Sequence, residues 1–199
     1  MSELAVPPIQ ILGIGGSTRR DSRSLAALSA ALRLAEAAGA TTGLADVREL
    51  ALPLYDADQP ATADPPSLLQ LRQDVRAADA YILCSPTYHG SISGAVKNVL
   101  DALNPLGSDD PPYLAGRPVA LMALGGSTAM NVIDALAHAS RALNGLPTTT
   151  PVTLSGALVE LHAANGSDPV LLDRMRRMID ELIDLASRLR RPALLATRS

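Results

Sequence analysis

The chain has 199 residues, 47% of them hydrophobic, and its acidic and basic side chains give a formal net charge of -3. This length and composition predict one folded domain over residues 1–199, and the charge offers no basic surface for nucleic acids or anionic membranes, so neither is an expected partner. The single cysteine excludes an internal disulfide framework, and no segment resembles a signal peptide or a membrane span, so we expect a cytoplasmic protein.

Apolar runs typical of buried strands alternate along the chain with the spacing typical of amphipathic helices. Strands are predicted at 9–14, 42–47, 80–85, 119–124 and 149–154, and helices at 24–38, 67–78, 94–103, 129–143 and 169–190. The alternation predicts an α/β fold in which a doubly wound, five-stranded parallel sheet carries helices on both faces. In such sheets a ligand binds beyond the carboxyl ends of the strands, at the switch in strand order.

The first loop, residues 15–23 after the first predicted strand, carries hydroxyl side chains and arginine, and it leads directly into a helix. Free N–H groups and the positive dipole end of a helix N-terminus favour an anion, so this loop predicts a phosphate site. Thr18 stands where a dinucleotide fingerprint that begins at Gly13 would need glycine, which disfavours a Rossmann-type NAD site. A P-loop needs a lysine near its end, and the only lysine, Lys97, follows no such loop, so ATP or GTP hydrolysis is not expected. What remains is a pocket for one terminal phosphate, as in a mononucleotide such as FMN. The alternative is an N-capped helix with an ordinary serine-rich entry.

Two further loops belong to the same predicted edge, residues 86–93 after the third strand and 125–127 after the fourth. Both combine glycine with hydroxyl residues, which suits a backbone that approaches a flat ligand closely. The chain has four tyrosines and neither phenylalanine nor tryptophan, so it has little aromatic material to enclose a ring on both faces. We expect Tyr88 to contact the ligand, whereas Tyr81 and Cys84, on the third strand, are predicted to lie in the core.

The remaining polar candidates give no sign of a metal or of a catalytic pair. His89, His138 and His162 share no ligand spacing and no cysteine pair accompanies them, so no metal site is expected. Lys97 and Asp101 are neighbours on a predicted helix, and they indicate either a solvated helix face or a subunit contact.

Two motifs, in chain order, resemble those of the NAD(P)H-dependent FMN reductase family, which has a flavodoxin-like fold. Residues 16–22, Gly-Ser-Thr-Arg-Arg-Asp-Ser, are similar to the family's Gly-Ser-x-Arg-x-x-Ser phosphate loop. Residues 85–101 are similar to its Pro-x-Tyr-x-Gly-Ser flavin loop and to the Gly-x-x-Lys-Asn helix that follows. Weaker similarity at residues 50–56 and 125–127 extends the resemblance over most of the chain.

The resemblance implies FMN as cofactor, NAD(P)H as co-substrate, and hydride transfer through FMN to a small-molecule electron acceptor such as free flavin, a quinone or an azo compound. It also implies a homodimer or a homotetramer. The implied cofactor-binding residues are Ser17, Arg19, Ser22 and Ser24 for the phosphate, Pro86, Thr87, Tyr88, His89, Gly90 and Ser91 for the isoalloxazine edge, and Gly125, Gly126 and Ser127 in the third loop. At the positions of Ser24 and His89 the family often has asparagine.

Hydride moves directly from nicotinamide to flavin, so no side chain is expected to act as general acid, base or nucleophile in that step. An alternative from another class is a flavodoxin-like electron carrier, or a flavin-binding sensor, that does not turn over NAD(P)H. The scarcity of aromatic residues, which leaves one face of a bound ring open, and the glycine-rich loop at 125–127 favour the enzyme.

Overall fold

The computed structural model of the protein describes residues 7–59, 64–155 and 168–190. The strands are β1 (Gln10–Gly15), β2 (Thr41–Asp46), β3 (Ala80–Tyr88), β4 (Ser91–Ile92), β5 (Pro118–Leu124), β6 (Leu146–Pro147) and β7 (Val152–Leu154). The helices are α1 (Arg23–Ala37), α2 (Val47–Leu50), α3 (Pro66–Ala77), α4 (Gly94–Asp101), α5 (Ala129–Ala142) and α6 (Pro169–Leu189), with a 3-10 turn at Asn104–Ser108.

The sheet has the order β2-β1-β3-β5, and both β6 and β7 pair with β5 at the next position. All of these pairs are parallel, whereas β4 pairs with β3 in the antiparallel sense. The chain therefore reverses its direction across the sheet after β2, and the switch in strand order lies between β1 and β3. This is the predicted doubly wound fold of the flavodoxin type.

The prediction of five strands is wrong, because the sheet described has seven. The predicted strand at 149–154 is replaced by β6 and β7, with residues 148–151 between them. Pro151 has no N–H group to donate to the sheet, and the N–H groups of Thr149 and Thr150 bond to the carboxylate of Glu181 on α6 instead. The other additional strand, β4, has two residues and lies inside a loop.

Helices cover both faces of the sheet and divide the core into two layers. Ile82 belongs to the layer that contains Leu28 of α1 and Met175 of α6. Its neighbour Leu83 belongs to the layer that α3, α4 and α5 cover. Successive side chains of a strand point to opposite faces, and both faces are buried here, which explains the continuous apolar runs of the central strands.

The register of the sheet brings the three predicted loops to one edge. Gly15 at the end of β1 is paired with Cys84 in β3, and Pro86 in β3 is paired with Leu124 at the end of β5. The segments that follow these adjacent strands consequently start side by side, beyond the carboxyl ends. Within the three described ranges, no helix is long and apolar enough to cross a membrane.

Candidate functional site

The first loop places a cluster of serine hydroxyls at the N-terminus of α1. Ser17, Ser22 and Ser24 are all buried, with at most 8% of each residue exposed. The hydroxyl of Ser17 donates to that of Ser22 at 2.9 Å, and the hydroxyls of Ser22 and Ser24 share a hydrogen bond of 3.2 Å. The backbone N–H of Leu25 donates to Ser22 Oγ at 3.2 Å, so Ser22 caps the helix.

The helix cap and a phosphate site are compatible, because the cap uses one N–H group of the first turn and leaves others for an anion. Thr18, Arg19 and Arg20 are exposed, in contrast to the buried serines around them. Arg19 makes no ion pair within the described part of the chain. Its guanidinium is therefore available to a negatively charged ligand at the mouth of the loop.

The first loop is tied to β3 through the backbone of Cys84. The N–H of Gly16 donates to the carbonyl oxygen of Cys84 at 3.3 Å, and the Cys84 thiol donates to the carbonyl oxygen of Ser24 at 3.3 Å. Burial raises the pKa of this thiol to about 12, so it stays protonated and unreactive. Cys84 and Tyr81 are fully buried, which confirms that both belong to the core.

The second loop folds back on itself as a tight hairpin. Tyr88 of β3 pairs with Ser91 of β4, so His89 and Gly90 form a two-residue turn, with φ of 50° and 78°. Positive φ at both central residues defines a type I′ turn, in which Asn-Gly is the favoured sequence. The backbone thus explains why asparagine suits residue 89, and histidine is also among the residues that tolerate this conformation. The side chains of Tyr88 and His89 are exposed.

The third loop meets the second through Gly125 and Thr87. A Cβ atom on Gly125 would lie 2.1 Å from the Thr87 hydroxyl oxygen, so only glycine leaves room for that side chain. The Thr87 hydroxyl oxygen is itself buried and has no hydrogen-bond partner among the residues described. A buried hydroxyl without a partner is costly, and a polar ligand edge between the two loops would satisfy it. Gly126 and Ser127 are exposed beside it.

The donor set of the three loops fits the cofactor that the sequence predicts. Buried hydroxyls and an exposed guanidinium at a helix N-terminus suit a terminal phosphate. The unpartnered hydroxyl of Thr87 and the backbone of the second and third loops suit the polar edge of a flat ring. The sequence-predicted residues thus lie in three loops at one edge of the sheet, within the described residues.

Asn98 on α4 is a site-supporting residue to which sequence reasoning assigns no role. Its side-chain amide donates to the carbonyl oxygen of Pro53 at 2.8 Å and accepts from the N–H of Tyr55 at 2.7 Å. Both contacts hold the segment at 50–56 against the helix that follows the second loop. The partners are more than 40 residues apart in the chain, so no local spacing signals them.

A groove of about 660 Å³ lies between α4 and α5 and begins at β4. Its lining includes Ser91, Ile92, Lys97, Asp101, His138 and Leu143. Lys97 and Asp101 form an exposed ion pair of 2.5 Å at its rim. His138 is exposed on α5, and His162 lies outside the described residues. Among the described residues no cluster of side chains could hold a metal ion.

Comparisons with known proteins agree with this chemistry. The sequence profile of the NADPH-dependent FMN reductase family matches residues 9–157. The NADPH-dependent FMN reductase ArsH of Shigella flexneri is 31% identical over 179 residues, which cover 89% of this chain and 68% of that protein. An NADPH azoreductase of a Bacillus species is 36% identical over 120 residues, which cover 58% of this chain and 60% of the azoreductase.

Solved structures share the fold. The flavoenzyme NAD(P)H:(acceptor) oxidoreductase FerB of Paracoccus denitrificans superposes with a TM-score of 0.72, covering 90% of this chain and 98% of that one. Its sequence identity is 22%, so this likeness speaks for the architecture alone.

Proposed function

The chain belongs to the NADPH-dependent FMN reductase family, and we propose that it is an FMN-dependent oxidoreductase that takes hydride from NAD(P)H and reduces a small-molecule acceptor. The observation that carries the proposal is the convergence of the buried serine cluster, Arg19 and the unpartnered Thr87 hydroxyl at one edge of the sheet. When bound, FMN would supply the hydride-transfer chemistry that amino-acid side chains cannot provide.

At the phosphate end, the chain contributes hydroxyls, backbone N–H groups and one positive charge. Ser17, Ser22 and Ser24 would hold phosphate oxygens by neutral hydrogen bonds, and Arg19 would add a charge-assisted bond. The serines are already linked to one another, so their rotamers are fixed before a ligand arrives. A site organised in advance loses less entropy on binding.

At the ring end, residues 86–91 and 125–127 would hold the cofactor largely through their backbone. The Thr87 hydroxyl would gain the partner that it lacks. Tyr88 is 44% exposed and would border the open face on which NAD(P)H and acceptor are received in turn. No acid or base is assigned, since the residues need only to bind, orient and leave that face accessible.

The acceptor class follows from the relatives. Proteins similar to this chain are named as FMN reductases, as an azoreductase and as quinone reductases, so we propose free flavin, azo compounds and quinones as acceptors. An accessible ring face accommodates flat molecules of different outline, which agrees with a range of acceptors rather than one.

We also propose that residues 1–199 form one FMN-binding domain and that the protein is a cytoplasmic homodimer or homotetramer. The groove between α4 and α5 supports assembly, because its largely apolar lining is exposed surface that a second copy could cover. Light scattering of the purified protein tests this, and a monomer at micromolar concentration would contradict it.

The function is tested by reconstituting the purified protein with FMN and identifying the released flavin by mass spectrometry. NADPH and NADH oxidation is then followed with FMN, a quinone or an azo dye as acceptor. We expect FMN to be retained and the acceptor to accelerate NAD(P)H oxidation. Binding of FAD alone, or no flavin binding, would contradict the proposal, and bound FMN that NAD(P)H does not reduce would favour an electron carrier or sensor.

A further inference from the structure

The second loop is closed at its base by a buried serine that the family motif does not assign to the ligand. Ser85 lies on β3 immediately before the loop and is fully buried. Its hydroxyl accepts a hydrogen bond from the backbone N–H of Ser93 at 2.9 Å and donates one to the carbonyl oxygen of Pro86 at 2.9 Å. One side chain thus joins the beginning of the loop to its end, eight residues later.

This closure also sets where α4 begins. The hydroxyl of Ser93 accepts from the N–H of Val96 at 3.2 Å and caps the helix, while the N–H of the same residue is held by Ser85. Ser93 is 1% exposed, so its N–H has no access to water if the Ser85 hydroxyl is removed. The entry of the helix and the end of the loop are therefore fixed by one bond.

The rest of the loop has few restraints of its own. Its ladder consists of two pairs, Thr87 with Ile92 and Tyr88 with Ser91. A ladder of this length is marginal without support from elsewhere in the fold. The hydrogen bonds of Ser85 at the base of the loop therefore determine the shape of the loop.

We propose that Ser85 is a positioning residue for FMN: it holds residues 86–93 in the shape that binds the ring, without itself contacting the cofactor. This inference rests on the proposed function. A loop that is already in its binding shape costs less free energy to order when the ligand arrives. Loss of the Ser85 hydroxyl should therefore weaken FMN by about 3- to 10-fold, the range of one neutral hydrogen bond.

The test compares Ser85→Ala with Ser140→Ala, a matched control in the full-length protein. Ser140 is likewise fully buried, and its hydroxyl donates to the carbonyl oxygen of Leu136 at 2.7 Å within α5. Three quantities are measured: hydrogen exchange of the Ser93 amide without flavin, the dissociation constant of FMN, and the visible circular dichroism of bound flavin at saturation, which reports ring orientation.

We expect Ser85→Ala to accelerate exchange of the Ser93 amide about tenfold, to raise the FMN dissociation constant and to alter the dichroism. Ser140→Ala should change none of the three. Ser85→Thr, which retains the hydroxyl, should restore slow exchange and tight binding.

Two results would overturn the positioning role alone: faster Ser93 exchange with unchanged FMN affinity, or equal weakening by Ser85→Ala and Ser140→Ala. Failure of the unaltered protein to bind FMN would overturn the proposed function and this inference with it. The two failures are thus distinguishable.

Discussion

The carbonyl oxygen of Cys84 occupies the space in which a side chain on Gly15 would begin. A Cβ atom at residue 15 would lie 2.1 Å from that oxygen, far inside van der Waals contact. The two residues are paired across β1 and β3, at the switch in strand order where the first loop starts. Glycine at this position therefore lets the first loop approach the central strand of the sheet.

Gly15→Ala should consequently separate β1 from β3 at the site. Because the atom it meets is backbone and cannot rotate away, we expect a loss of at least about 2 kcal/mol of stability and weaker FMN binding. Thermal unfolding and FMN titration measure the two effects. Gly94→Ala is the matched control, since no atom beyond its chain neighbours and its own helix backbone lies within 4 Å of its Cβ position, and it should leave stability unchanged or raise it. Equal behaviour of the two variants would contradict the argument.

Arg19 should provide much of the affinity for the phosphate. A charge-assisted hydrogen bond contributes roughly 1.5 to 3 kcal/mol, so Arg19→Ala should raise the FMN dissociation constant about 10- to 100-fold with the fold intact. Ser17→Ala should have a smaller effect, about 0.5 to 1.5 kcal/mol, because a neutral hydroxyl is lost. Arg33→Ala, an exposed charge on α1, should leave the affinity unchanged. An unaltered dissociation constant for Arg19→Ala would remove this residue from the site.

The sequence predicts the sheet well where local pattern decides it. The strand predicted at 119–124 lies within β5, and the helix predicted at 129–143 agrees with α5 to within one residue. Their apolar periodicity reflects burial in the core, which the alternation of elements already implies. The interruption between β6 and β7 depends instead on Glu181, a carboxylate from α6 about 30 residues away, and no local pattern contains it.

That carboxylate should make stability depend on pH in the acid range. Burial by itself would raise the pKa of Glu181, but hydrogen bonds from Thr149 and Thr150 outweigh burial and lower the pKa. Because the pKa is lower in the folded state, Glu181 contributes fully to the free energy of unfolding above its unfolded-state pKa of about 4.3. This contribution is lost as the pH falls through the pKa of the folded state.

Glu181→Gln should thus cost roughly 0.5 to 1 kcal/mol at pH 7, a modest figure because solvent weakens partly exposed charged contacts. The difference in free energy of unfolding between this variant and the unaltered protein should shrink as the pH falls below about 4. Urea unfolding from pH 3 to 7 measures this. Glu49→Gln, which removes an exposed carboxylate on α2 with the same change in net charge, is measured in parallel as the control. A difference that is constant over this range would contradict the prediction.

The candidate site is predicted only in part from the sequence, because some of its contacts join residues that no local pattern brings together. The three loops can be placed from the sequence because each follows a strand and carries glycine with hydroxyl residues. The closure of Ser85 on Ser93 and the unpartnered Thr87 hydroxyl depend on how the hairpin folds back over β3. Motif spacing records which residues are present, and it does not record which of their polar groups the fold leaves without a partner.

His89 tests whether catalysis needs a protein acid or base. The residue occupies the first central position of a type I′ turn, where asparagine is preferred, so His89→Asn should keep or stabilise the hairpin. If hydride transfer depends on positioning alone, this variant should keep FMN affinity and the rate of flavin reduction by NAD(P)H within about tenfold, or roughly 1.4 kcal/mol of barrier. Stopped-flow reduction of the bound flavin measures the rate. A loss of about three orders of magnitude with flavin still bound would mean that the imidazole takes part in the chemistry, since such a loss corresponds to roughly 4 kcal/mol and exceeds what a change of turn residue explains.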